Sequence, residues 1–153
     1  MAKVYDIVNT SKMSLEYDGS KIFVTRRSKT ALENGRLVAV DADGTVRYAV
    51  TGDAKVYLHA SVEVMADTKL GLTEFRKEQG ELVRYVGMEV GDIFGTTAFT
   101  GTIVKGDKVI LGTAGVLAKA TPAGTENFIA EVEEVKTLGY DKIPALSVRV
   151  IKA

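Results

Sequence analysis

The chain has 153 residues, 46% of them hydrophobic, and its 20 acidic side chains balance 20 basic ones. That length gives one domain with a real core, and a net charge of zero argues against a dedicated nucleic-acid binder, which carries a basic excess. With no cysteine, disulfides, thiolate zinc sites and cysteine nucleophiles are excluded, which fits a protein made in a reducing cytoplasm or assembled into a particle there.

Residues 1–35 show no sustained helical period. Val4, Tyr5, Ile7 and Val8 stand as isolated apolar anchors, and Ile22–Thr25 reads as a strand after the Asp18-Gly19 turn. The expected organisation is an N-terminal arm or peripheral segment over 1–35, with an ordinary first strand pair as the alternative, and a β domain over 36–153. Met1–Asp6 holds no signal-peptide core. No apolar run approaches the roughly 20 residues of a membrane span.

From Asn34-Gly35 onward the pattern sharpens. Leu37–Val40 and Thr45–Val50 flank Asp41-Ala42-Asp43-Gly44, a hairpin signal. Residues 55–65 alternate, with Val56, Leu58, Ala60, Val62 and Val64 on one face and Tyr57, His59, Ser61 and Glu63 on the other. This predicts a half-buried strand with His59 on its polar side. Residues 66–80 suit either a short helix or a hairpin limb turning at Gln79-Gly80. Leu82–Val86, Asp92–Phe99, Val109–Leu111, Val116–Ala118, Asn127–Val135 and Leu146–Ile151 read as strands. About eight short strands between close turns predict a mainly β fold, a compact sandwich or small barrel with at most one or two short helices.

Three Gly-Asp steps, Gly52-Asp53, Gly91-Asp92 and Gly106-Asp107, punctuate this pattern. Both residue types tolerate the backbone of a tight turn, and an apolar run follows each step.

Few residues suggest bond-making chemistry. His59 is the only histidine, so neither a two-histidine metal site nor a cysteine–histidine pair can be built. Glu126, Glu131, Glu133 and Glu134 supply hard oxygen ligands on paper, but a solvated strand face explains them without a metal. Asp41–Gly44 resembles the start of a calcium loop, yet its twelfth position is Gly52 instead of glutamate. Gly112–Gly115 lacks the lysine and spacing of a phosphate loop. These residues predict no catalytic site, cofactor or metal. Arg26, Arg27 and Lys29 form the densest basic cluster and suit an acidic partner surface. Together with Val4, Tyr5, Ile7 and Val8 they are the expected interface residues, meeting a neighbouring copy or a larger assembly.

The segments Tyr57–Met65, Gly71–Phe75 and Glu89–Phe94, with Lys105–Val109 and Gly115–Ala118 downstream, resemble the head decoration, or cement, proteins of tailed bacteriophages. The likeness covers roughly residues 35–153. It implies a non-enzymatic virion protein on the capsid exterior, made in the host bacterial cytoplasm. Such a protein binds the major capsid protein and bridges capsomers, as a trimer or dimer, without specific nucleic acid or membrane. Other readings are a tail or head–tail connector protein, a small β-barrel module binding nucleic acid or a ligand, and, least supported, an enzyme.

Overall fold

The computed structural model describes residues 5–10, 13, 23–61, 75–138 and 142–153. They contain twelve strands: β1 (Val8–Asn9), β2 (Phe23–Arg27), β3 (Leu37–Val40), β4 (Val46–Tyr48), β5 (Tyr57–His59), β6 (Leu82–Gly87), β7 (Ile93–Thr96), β8 (Phe99–Thr100), β9 (Lys108–Leu111), β10 (Leu117–Lys119), β11 (Ile129–Leu138) and β12 (Ile143–Lys152). The one helical piece among the described residues is a 3-10 turn at Thr113–Gly115. The predicted mainly β class is therefore observed.

The strands form a seven-stranded sheet, β1-β7-β12-β11-β9-β10-β8, and a five-stranded sheet, β2-β6-β5-β3-β4. Pairing is antiparallel throughout except between β8 and β10. The sheets stack as a sandwich around Leu37, Leu58, Val86, Phe94, Val109, Leu117, Phe128, Leu146 and Val148, all buried. Burying each such side chain stabilises the fold by roughly 1.5–3 kcal/mol.

The five-stranded sheet also buries its other face. Ser28, just beyond β2, bridges Val46 of β4, with Lys29 N–H donating to Val46 C=O at 2.8 Å. The sheet thus curls until its two edges meet, around Leu32, Val38, Val46, Val83 and Tyr85. The unbroken apolar run of Leu37–Val40 now has its reason. Leu37 and Ala39 face the sandwich core, while Val38 and Val40 face this second cluster.

That curl corrects one expectation. Val56, Leu58 and Ala60 are buried as predicted, whereas Val62 and Val64 lie outside the described residues. The opposite face, however, is not polar and wet. Tyr57 packs against the second cluster, and His59 is 0% exposed.

The boundary expected at residue 35 does not separate an arm from a body. β1 pairs with β7 at the edge of the large sheet, Met13 sits in the sandwich core, and β2 pairs along its whole length with β6. Local sequence gives a two-residue strand no signal, because its stability comes from the partner it joins. The expectation for Val4 lies outside the described residues, as do residues 66–74 of the helix-or-hairpin question. Within the described part, Lys77 bridges Leu32 in antiparallel fashion, and the chain turns at Gln79-Gly80 before β6.

Asp92–Phe99, expected as one strand, divides into β7 and β8. The last two strands run longer than expected and join as one hairpin, paired from Ile129↔Lys152 to Leu138↔Ile143. The hairpin β3–β4 forms where predicted, and β9 and β10, expected as strands, pair with each other.

One glycine holds the two sheets in register. Gly115 has φ +74°, and a Cβ there would collide with the Leu37 carbonyl of the facing sheet. Only glycine lets this turn lie so close to β3.

Candidate functional site

The three Gly-Asp steps turn out to be one device. In Val50-Thr51-Gly52-Asp53 the Asp53 N–H donates to the Val50 carbonyl (3.1 Å), while the Val50 N–H donates to Asp53 Oδ2 (2.8 Å). Glu89–Asp92 repeats both bonds at 3.0 and 2.9 Å, and Val104–Asp107 at 3.1 and 2.9 Å. In each, the glycine sits at positive φ, between 91 and 106°. Glu78–Glu81 makes the same clasp with a glutamate, Glu78 N–H donating to Glu81 Oε2 at 3.0 Å. A carboxylate that accepts a backbone N–H is stabilised in its charged form. The Val104 N–H accordingly holds the Asp107 carboxyl below its usual range, with Lys119 adding to the effect. For Asp53 the Arg47 guanidinium is the larger cause, and the Val50 N–H the smaller. These turns project apolar side chains into solvent: Val50 is 53% exposed, Val90 71% and Val104 55%.

His59 is locked inside. Its Nδ1 lies 2.7 Å from the Glu33 carbonyl, which can only accept, so Nδ1 carries the proton. Nε2 lies 2.7 Å from Ser61 Oγ. Ser61 Oγ also accepts from Arg84 N–H at 3.0 Å, and its own proton is therefore directed at Nε2. Asn34 closes the network by donating to the Ser61 carbonyl (2.9 Å) and accepting from its N–H (2.8 Å). Burial lowers the His59 pKa to about 4, with help from the nearby Lys77 and Arg84 charges and against the Glu33 carbonyl. The serine–histidine contact has the distance of a nucleophile–base pair. Both side chains are buried, though, and Nδ1 faces a backbone carbonyl instead of a carboxylate. The arrangement ties β5 to the segment before β3.

The N-terminal anchors are seated on their own chain. Val8 packs against the sandwich core, and Ile7 donates to Thr97 Oγ1 at 3.0 Å and accepts from the Thr97 N–H at 3.2 Å. The Tyr5 ring lies beneath Arg76, 4.9 Å from ring centre to guanidinium. A charged clasp secures the segment. Arg36 Nε reaches Asp6 Oδ2 (2.9 Å), its Nη2 reaches Glu33 Oε2 (2.7 Å), and Asp6 N–H donates to Glu33 Oε1 (2.9 Å). Arg36 also lies over the Tyr48 ring at 5.1 Å. It was not singled out in the sequence, since its partners are 3 and 30 residues away.

The basic cluster divides. Lys29 pairs with Asp41 at 2.8 Å, and Asp41 also takes Arg47, which continues to Asp53. The Lys29 and Arg47 bonds hold the Asp41 carboxyl low. Arg26 and Arg27 are exposed and bond neutral groups, the Tyr85 hydroxyl (3.1 Å) and the Gly80 carbonyl (2.9 Å). Residues 75–81 touch one member of each predicted group, Arg76 covering Tyr5 and Gly80 holding Arg27.

The acidic run is used within the outer face of the large sheet. Glu131 pairs with Lys108 at 3.0 Å, and Glu133 with Arg149 at 3.2 Å. Among the described residues no group of three or more histidines, aspartates or glutamates is placed to hold a metal ion, and no helix is long and apolar enough to cross a membrane. No family model matches the chain, and neither a curated protein nor a solved structure matches it.

Proposed function

We propose that this protein is a virion structural component that binds the outside of a tailed-phage capsid and strengthens contacts between capsomers. One observation carries the reading. The side chains able to do chemistry are spent inside the fold: His59 and Ser61 on each other, and Asp53, Asp92 and Asp107 on their turns. What is offered outward is exposed valine at turn tips and the arginine margin of β2. Apolar tips supply desolvation at a contact, and rim arginines supply orientation and rate toward an acidic surface.

The physical demand on such a protein suits this build. Internal pressure loads the seams of a shell, and a block bound across a seam in many copies turns modest contacts into strong holding. Turns clasped by carboxylates and a sandwich core resist deformation without metal or disulfide. The partner is the major capsid protein, in the virion and not on nucleic acid or membrane.

Co-sedimentation with empty capsids tests this. The full chain should pellet with shells at saturable stoichiometry. The Arg26→Glu, Arg27→Glu double variant should bind more weakly, with a reduced dependence on salt. A chain that stays in the supernatant at every salt concentration contradicts the proposal.

A further inference from the structure

The β11–β12 hairpin outruns its sheet. β7 pairs with β12 only from Leu146 to Arg149, and β9 pairs with β11 only from Ile129 to Glu131. Residues 134–138 and 143–145 therefore form a two-stranded ribbon with no described strand on either side. A register shift between Val132 and Glu134 marks where the ribbon leaves the sheet.

The ribbon's two edges differ. Val150 N–H donates to the Asp92 carbonyl, and its C=O accepts from Gly91 N–H, each at 2.8 Å, so Val150 turns its backbone groups toward β7. Strand alternation turns Leu146 and Pro144 the same way, and Ala145 and Ile143 toward β11. The β12 edge therefore carries Pro144, which has no N–H to offer a further strand. Across the hairpin Ala145 and Ile143 pair with Lys136 and Leu138. That leaves the backbone groups of Val135 and Thr137 directed outward, and none of the described residues bonds them. The Val135 side chain is 44% exposed.

The sequence along this edge is self-complementary. Two copies laid antiparallel with Val135 opposite Val135 place Glu134 opposite Lys136 of the second copy, and Lys136 opposite its Glu134. Because Val135 faces outward, the two valines can exchange both N–H···O=C bonds. Moving the centre one residue either way sets Glu134 against Glu134 or Lys136 against Lys136, which is repulsive. The charges that would deter an indiscriminate strand thus select one partner in one register. On the Val135 side of the ribbon, Phe99, Ile103, Ile143 and Pro144 line an apolar cleft, to whose rim the second Val135 is brought.

We propose that the outer edge of β11 is a homodimer interface, at which a second copy adds its own β11 antiparallel about a two-fold axis through Val135. The pairing is confined to residues 133–137, because the outward N–H and C=O of Val132 are already bonded to Asp107 and Gly106; over that span it joins the two seven-stranded sheets edge to edge. Binding to a shell does not depend on this pairing, so the two proposals fail separately.

Sedimentation equilibrium on the full chain, from roughly 10 μM to 1 mM, reads the outcome. The native chain should show a monomer–dimer equilibrium that weakens with salt. Glu134→Lys and Lys136→Glu should each dimerise at least about tenfold more weakly, since each turns both ion pairs into repulsions. An equal mixture of these two variants should regain association, because the paired lysines of one variant then face the paired glutamates of the other. Recovery in the mixture also demonstrates that both variants fold. Val135→Pro should abolish the dimer while leaving the far-ultraviolet spectrum unchanged, because the Val135 N–H takes no part in the ladder to β12. A native chain monomeric at 1 mM, single variants that associate like the native chain, or folded variants that do not recover on mixing would each overturn the proposal.

Discussion

Replacing His59 by Gln removes one titrating group from the interior, and should change how stability depends on pH as well as its size. His59 has a pKa of about 4 in the fold, against 6.5 for an ordinary histidine. The unfolded chain therefore takes up the proton first. The stabilising contribution of the neutral, hydrogen-bonded ring is whole above pH 6.5, falls as the pH drops toward 4, and is gone below that. At ~1.4 kcal/mol for each pH unit between the two values, the loss amounts to about 3 kcal/mol. Urea unfolding of the native chain and His59→Gln at pH 7, 5.5 and 4 measures it. The variant should be less stable at pH 7, by about 1–3 kcal/mol, because it leaves a buried partner unsatisfied. By pH 4 the difference should move about 3 kcal/mol in the variant's favour, which closes the gap or reverses it. Carboxylates held low by their partners, such as Asp41 and Asp107, protonate in both proteins and cancel in the difference. A gap that stays constant from pH 7 to 4 would refute the buried neutral histidine.

Other substitutions separate turn chemistry from packing. Asp107→Ala should cost about 1 kcal/mol by freeing the Val104 N–H, as is typical of a lost hydrogen bond, and is read by urea midpoint. Gly91→Ala should cost about 1–2 kcal/mol through its left-handed backbone alone, since a Cβ there meets nothing within 4 Å. Gly115→Ala adds to the same strain a collision with the Leu37 carbonyl, and should cost a further 1–3 kcal/mol or so, or prevent folding at 37 °C. Arg36→Ala should speed hydrogen exchange at Ile7 and Val8 more than in the sandwich core, because Asp6 and Glu33 lose the cation that joins them. Removing residues 1–20, a harmless cut for a true arm, should lower the thermal midpoint clearly, since it deletes β1 and the buried Met13.

Much of the fold was legible because its turns carry their own chemistry. Asp41–Gly44 and the Gly-Asp steps announce themselves in four residues, and the hairpin β3–β4 follows from the first. What was illegible depends on distant partners. Nothing near Val8 signals that β7 will receive it, and nothing near Arg36 signals that Asp6 will. His59 was assigned to a wet face because alternation shows which residues share a side, not whether that side is covered. The curl that joins Ser28 to Val46 covers it. A hint was present in Leu37–Val40, whose apolar residues on both faces require burial on both. Of the expected interface residues, Arg26 and Arg27 do lie exposed, whereas Tyr5, Ile7 and Val8 are committed to contacts within the chain.

Cryo-electron microscopy of empty tailed-phage capsids mixed with the purified protein tests the central claim most directly. The account predicts ordered density on the outer surface at capsomer seams, fitted by the two-sheet sandwich with the Val50, Val90 and Val104 turns or the Arg26–Arg27 margin against the shell. Bare capsids at saturating protein, or density confined to the tail or portal vertex, would contradict it.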